Sequence, residues 1–309
     1  MANWKSMASE TAPMEEETIQ FDSTPFQDIA PIYVEPAPIC SVNYSPTFRD
    51  AMAYFRALMA ADEVSPRALA LTETVIRLNS ADYTAWYYRQ RILRSMESFD
   101  IDAEYKFVDS LAADVSKNYQ VWGHRQFLVG LTKNYVNEFT FTETMLEDDN
   151  KNYHCWSHRV WVCDHFNCWP AELEFTEKMI MKDVRNNSAW SHRFYTLKKL
   201  GYLSDLDKLH AEMKLIQETF KQACNNESVW VYLNGLYDNT TDETFRAETR
   251  AFLEHIVEER QFCVYAKIVF INVFNNSPKV PEMIMELRDR LDVVHAPYWD
   301  WRLKLSSSN

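Results

Sequence analysis

At 309 residues the chain is long enough to bury a large core, and its 32 basic against 45 acidic residues give a formal net charge of −13. No long Lys/Arg cluster interrupts that acidity, which excludes a nucleic-acid partner and an anionic membrane surface, and leaves any anion site to be built locally. Four glycines and eleven prolines, among abundant Leu, Met, Glu, Lys and Ala, exclude an all-β fold and point to helices joined by short turns.

The first residues, "MANWKSMASE", lack the apolar core of a secretory signal, and no stretch reaches the roughly 18 apolar residues of a membrane span. The expectation is a cytoplasmic protein with no membrane insertion. Residues 1–24 are acidic and aperiodic and read as a disordered tail. The proline-punctuated "PFQDIAPIYVEPAPIC" that follows reads as an extended strap, with Ile29, Ile32, Tyr33 and Val34 apolar enough to dock.

From "FRDAMAYFRA" onward the apolar residues take a helical period, and the chain begins to repeat. Trp86, Trp122, Trp156, Trp190 and Trp230 recur at intervals of 34 to 40 residues, the range of stacked helical hairpins. The segments before them align as well: Leu71, Phe107, Phe141 and Phe175 form one column, and Val75, Leu111, Met145 and Met179 another, spaced as one face of a helix. Each repeat is therefore a helix A bearing that face, a short turn, and a helix B that opens with the tryptophan motif. Asp82, Asn118, Asn152, Asn186 and Asn226 occupy the N-cap position of each helix B.

Clear repeats run from about 66 to 236, and the helical stretches "TFRAETRAFLEHIVEER", "CVYAKIVFINVF" and "VPEMIMELRDRLDVVHAPYWDWRLKL" read as degenerate repeats closing the array. Residues 25–309 are expected to form a single all-α domain, an α-α superhelix in which the hairpins stack as a crescent solenoid.

Four copies of Trp-x-His/Tyr-Arg cannot all be catalytic, so these residues are expected to pack and hydrogen-bond across the stack. His154 and His158 stand four apart, but without an acidic ligand they make no metal site. Six cysteines without a Cys-x-x-Cys pair read as reduced and mostly buried. The residue before the cap is more informative, being basic in three consecutive repeats: Lys117, Lys151 and Arg185. Each stands at a helix N-terminus, where unpaired N–H groups and the macrodipole favour an anion, so the three form either a phosphate-binding edge or ordinary solvated surface.

The serial motifs "NYQVWGHR", "NYHCWSHR", "NNSAWSHR" and "NESVW", preceded by "FRDAMAYFRA" and "LTETVIRLNSADYTAWYYR", closely resemble the α subunits of the heterodimeric protein prenyltransferases, over residues 25 to 240 and more loosely beyond. Within that family the opening is most similar to the α subunit shared by farnesyltransferase and geranylgeranyltransferase type I. The resemblance implies an obligate heterodimer with a β subunit that holds the zinc, with magnesium as a further metal of the complex and none in this chain. It also implies transfer of a farnesyl or geranylgeranyl group from an isoprenoid diphosphate to the cysteine of a C-terminal Cys-a-a-X (CaaX) box in a protein substrate.

Carried over residue by residue, the resemblance puts Lys151 on the diphosphate, Tyr153 and Asn186 near the cleft, and His154 and Tyr119 beside them; Lys117 is expected to matter much less. Two alternatives stand beside this reading. One is the Rab-specific geranylgeranyltransferase α subunit, and the other is a non-catalytic peptide-binding scaffold of tetratricopeptide type, although the Trp-x-x-Leu-Gly-x-x-Tyr pattern of those repeats is missing.

Overall fold

The computed structural model describes residues 19–35, 39–40 and 42–306, so most of the expected acidic tail lies outside the described residues. The described chain forms fifteen α-helices and no strand. α1 (Pro46–Ala60) is followed by six hairpins of a helix A and a helix B. These are α2 (Pro66–Leu78) with α3 (Tyr83–Ser95), α4 (Ile101–Asp114) with α5 (Tyr119–Thr132), and α6 (Val136–Asp148) with α7 (Tyr153–Phe166). The next three are α8 (Ala171–Lys182) with α9 (Asn187–Leu200), α10 (Leu206–Gln222) with α11 (Glu227–Asn239), and α12 (Glu243–Glu259) with α13 (Val264–Val273). α14 (Val280–Glu286) runs on through a π-helical turn, Leu287–Leu291, towards α15 (Ala296–Ser306).

The helices start where their caps dictate. Asp82 accepts from the Thr84 and Ala85 N–H groups, Asn118 and Asn186 likewise take two N–H groups each at the mouths of α5 and α9, and Asn226 takes the Ser228 N–H at α11, satisfying donors that a helix end leaves orphaned. One turn in, Trp86, Trp122, Trp156, Trp190 and Trp230 are all buried, and each large side chain removed from water contributes roughly 1.5–3 kcal/mol.

Two compact units divide the chain. The first comprises the described residues as far as Phe141 together with Asn152–His154, and the second comprises Thr142–Lys151 and everything from Cys155 onward.

Within the first unit the strap does dock, and Phe26 joins the residues expected to hold it. Phe26, on a short 3-10 turn, is buried and packs with Phe21 against Tyr54 of α1 at 5.5–6.0 Å between ring centroids. Arg67 of α2 fastens the turn by bonding Asp28 and the Pro25 carbonyl. The extended run after it is held by the Ile32 N–H on the Ala53 carbonyl at 3.0 Å and by the Tyr33 hydroxyl, which donates to the Asp50 carboxylate of α1 at 3.1 Å, while the side chains of Ile32, Tyr33 and Val34 stay 44–67% exposed.

Candidate functional site

A ladder of shared carbonyls shapes the turn edge, where each helix A gives way to helix B. In the first unit the Ser80 carbonyl accepts from the Trp86 indole at 2.8 Å and from the Asn118 amide of the next repeat at 2.9 Å. The Ser116 carbonyl likewise accepts from Trp122 at 2.8 Å and Asn152 at 3.4 Å. The second unit repeats the device: Asn150 takes Trp156 at 3.0 Å and Asn186 at 2.9 Å, and Val184 takes Trp190 at 2.9 Å and Asn226. Each cap residue thus uses its oxygen on its own helix and its amide on the preceding repeat. One residue earlier stand Lys117, Lys151 and Arg185, all exposed.

His154 is the centre of the first unit's turn edge. It is 9% exposed, meets Tyr119 edge-on at 4.4 Å, and stacks on Trp122 at 6.2 Å with the rings 10° from parallel. Burial pushes its imidazole pKa down, against a hydrogen bond to the Lys117 carbonyl that works the other way. A neutral imidazole donating to that carbonyl satisfies both. Tyr119 and Tyr153 flank it, 70% and 67% exposed, in line with Tyr83 and Tyr87 at 73% and 64%. A cleft of about 520 Å³ opens between Ser80–Ala81 and the segment Lys117–Gln120.

In the second unit Lys151 is exposed, and its backbone N–H bonds the Asp149 carboxylate at 3.2 Å. Asn186 is fully buried: its oxygen caps α9 and its amide bonds the Asn150 carbonyl, the peptide group immediately before Lys151. Of the residues singled out in the sequence, Tyr119 and Tyr153 therefore meet the His154 ring, at 4.4 and 5.5 Å, and His154 bonds the Lys117 carbonyl. Asn186 holds the turn that carries Lys151.

Sequence reasoning missed a column of acids. Glu104, Glu138 and Glu172, in the first turn of a helix A, and Glu212, in the second turn of α10, are nearly or fully buried, and each receives the arginine of the preceding repeat. Arg89 bonds Glu104, Arg125 bonds Glu138, Arg159 bonds Glu172 and Arg193 bonds Glu212, each through two nitrogens at 2.6–3.2 Å. His124 then bonds Glu104 at 2.7 Å, His192 bonds Glu172 at 2.6 Å, and Tyr232, standing in the histidine's place, bonds Glu212 at 2.6 Å. Arg125 and Arg159 also lie over Phe141 and Phe175, 3.4 Å from the ring centroids. The findable signal was the spacing, since these acids keep the period of the tryptophans. Leu233 replaces the arginine in the last clear repeat, fully buried, and the ion-pair series ends there.

Burial pushes the Glu104 carboxyl up, but hydrogen bonds from His124 and Arg89 overcome it and hold its pKa at about 2. These networks consume the motif's charged groups in structure. Among the described residues no group of three or more His, Cys, Asp or Glu side chains could hold a metal ion. Burial pushes the Cys155 thiol up to about 12, and raises Cys163, Cys168 and Cys263 as well. No described helix is long and apolar enough to cross a membrane.

Comparison with known proteins agrees with this periodicity. The family profile described as "Protein prenyltransferase alpha subunit repeat" matches residues 65–96, 101–132, 135–166 and 169–200, the four hairpins α2 to α9. A curated relative from Schizosaccharomyces pombe, named protein farnesyltransferase/geranylgeranyltransferase type-1 subunit alpha, is 44% identical over 119 residues, covering 38% of this chain and 40% of its own length. The Candida albicans protein of the same name is 36% identical over 107 residues, 34% of this chain and 35% of its own. The matched stretches thus span two fifths or less of these relatives. A solved structure described as Candida albicans protein geranylgeranyltransferase-I complexed with GGPP superimposes with a TM-score of 0.83 at 28% identity, covering 93% of this chain and 99% of that one.

Proposed function

Since this chain belongs to the protein prenyltransferase alpha subunits, we propose that it pairs with a β subunit and that the pair transfers a farnesyl or geranylgeranyl group from an isoprenoid diphosphate to the cysteine of a CaaX box. The observation that carries this reading is the match of four consecutive hairpins to the family's repeat. A metal used by the complex, zinc or magnesium, is assigned to the partner on the family resemblance. The exposed tyrosines Tyr83, Tyr87, Tyr119 and Tyr153 supply large, stiff contact area for that partner. We place the work in the cytoplasm.

This chain's own contribution is charge at the turn edge. As the bond between isoprenoid and diphosphate breaks, negative charge grows on the leaving oxygens, and a lysine fixed at a helix mouth stabilises it without rearranging. The first reading gives that role to Lys151, on the resemblance, with Tyr153, Asn186, His154 and Tyr119 around the substrate. A second reading gives it to Lys117. The cleft beside Lys117, and the bond from His154 to its carbonyl, favour the second.

Co-expression with candidate β chains, followed by transfer assays on CaaX peptides with farnesyl and geranylgeranyl diphosphate, tests the function. A stable heterodimer that transfers at least one isoprenoid is expected. Failure of the chain to copurify with any such β chain, or turnover by the isolated chain, overturns the proposal.

A further inference from the structure

Away from the turn edge, the end of α7 brings two thiols together. Cys163 lies in α7 and is fully buried, while Cys168 lies just past the helix end and is half-buried. Between them Asn167 adopts the left-handed region at φ 52°, which folds the chain back so that the Cys168 N–H donates to the Cys163 carbonyl at 3.3 Å. The Cys168 thiol turns back onto the end of α7, beside the Cys163 thiol and directed at the Val162 carbonyl at 3.9 Å. Both are free thiols, and neither takes part in the carbonyl ladder or the arginine–glutamate series.

We propose that Cys163 and Cys168 are an oxidisable pair, closed to an intrachain disulfide by hydrogen peroxide. Cys168 is the accessible member: as thiolate it attacks a peroxide oxygen and becomes a sulfenic acid as the O–O bond breaks, and the departing hydroxide takes up the proton Cys168 lost on ionising, giving one water. Cys163, next to it at the end of α7, then attacks that sulfur; the S–S bond forms, hydroxide departs and takes up the proton Cys163 gave up, and a second water results. The two thiols supply two electrons and two protons, and the peroxide is reduced to two waters. A neighbouring resolving thiol is what decides the product, because a half-buried cysteine without one proceeds to sulfinic acid.

Burial raises both thiols above the usual cysteine range, so thiolate is scarce and closure is slow at neutral pH. Its rate should climb about tenfold per pH unit while the pH stays below the thiol pKa. The bond would pin the α7–α8 turn, from which Trp169 packs on His192 at 5.9 Å and Tyr195 at 5.2 Å.

The test treats the full chain with hydrogen peroxide at mildly alkaline pH, alkylates it under denaturing conditions and digests it with trypsin. Cleavage after Arg159 and Lys178 puts both cysteines on one peptide, residues 160–178. That peptide should become lighter by two hydrogens and take no alkyl label, and Cys163→Ser should divert Cys168 to sulfinic or sulfonic acid. The proposal is overturned if wild type and Cys163→Ser give the same over-oxidised Cys168. It is also overturned if Cys163 stays fully alkylatable, or if either cysteine is found bridged to another part of the chain.

Discussion

Arg89 and Glu104, 15 residues apart and in different hairpins, meet through two parallel hydrogen bonds of 2.7 and 2.6 Å with both side chains 4% exposed. The same fork recurs as Arg159 on Glu172, where the glutamate is fully buried and also receives His192. Removing one partner strands a charge in a dry interior, which costs roughly 3–5 kcal/mol, whereas replacing both with apolar groups of similar size is far cheaper. Glu172→Ala should therefore lower the unfolding free energy by about that amount, and Arg159→Met combined with Glu172→Leu should lower it by less than the single change. Urea unfolding of the three proteins decides; a double variant at least as unstable as Glu172→Ala would show that the pair is not a coupled unit.

Acid should attack the same joints. The Glu104 carboxyl has an ordinary value of 4.5 and is held at about 2 in the folded chain, so the folded state binds fewer protons between those two values. Its stabilisation is complete above the unfolded value and is lost as pH falls through the window from 4.5 to 2. His124 has the same sign: burial lowers its pKa below 6.5, so protonation there also favours the unfolded chain. Unfolding free energies measured down that range should fall less steeply in Glu104→Gln than in wild type. Parallel slopes would mean that Glu104 is not protonated on unfolding.

Asn186 separates a structural from a substrate-touching role. Its oxygen already caps α9 and its amide already bonds Asn150, so Asn186→Ala should cost about 1–2 kcal/mol through the lost cap. Any effect on transfer should follow from the loosened turn bearing Lys151, and Asn186→Asp, which keeps the capping oxygen, should restore helix stability but not the bond to Asn150. Chemical unfolding and steady-state kinetics of the heterodimer read both quantities. A raised KM for the isoprenoid diphosphate with unchanged stability would instead put Asn186 in direct contact with substrate.

The hairpins were legible in the sequence because their signals are local. Tryptophan, cap and apolar face fall within one or two helical turns, and Asn118 or Asn186 announces a helix start by itself. That the motif's histidine and arginine reach across the stack was also legible, since a fourfold motif has to serve the stack. Their partners were not. Glu138 and Glu172 belong to an acidic chain in which a glutamate near a helix start reads as dipole compensation on a solvated face, and only their shared period betrays them. The first repeat completes the logic: Ala68 stands where the later repeats carry glutamate, and Arg56 of α1 bonds the strap's Ile32 carbonyl instead. The cleft at Lys117 was hidden for a different reason. Lys117 and Lys151 sit in nearly identical motifs, and the choice between them depends on which side chains of the following repeat close over each, as His154 does over the Lys117 carbonyl.

The two lysines can be separated by the step they affect. A lysine that meets charge growing on the diphosphate binds the transition state more tightly than the ground state, so its loss slows the chemical step more than it weakens isoprenoid binding. One such contact is worth on the order of 3 kcal/mol, or about a hundredfold in rate. The cleft and the His154 contact put the larger loss at Lys117→Ala, with Lys151→Ala no more than a few-fold slower, and Lys117→Arg should recover part of the rate by keeping the charge while changing its shape. Single-turnover transfer by the heterodimer, with isoprenoid affinity measured separately, gives both numbers for each variant. A hundredfold loss at Lys151 with little change at Lys117 would return the diphosphate to Lys151, and equal small losses at both would leave the turn edge without a catalytic lysine.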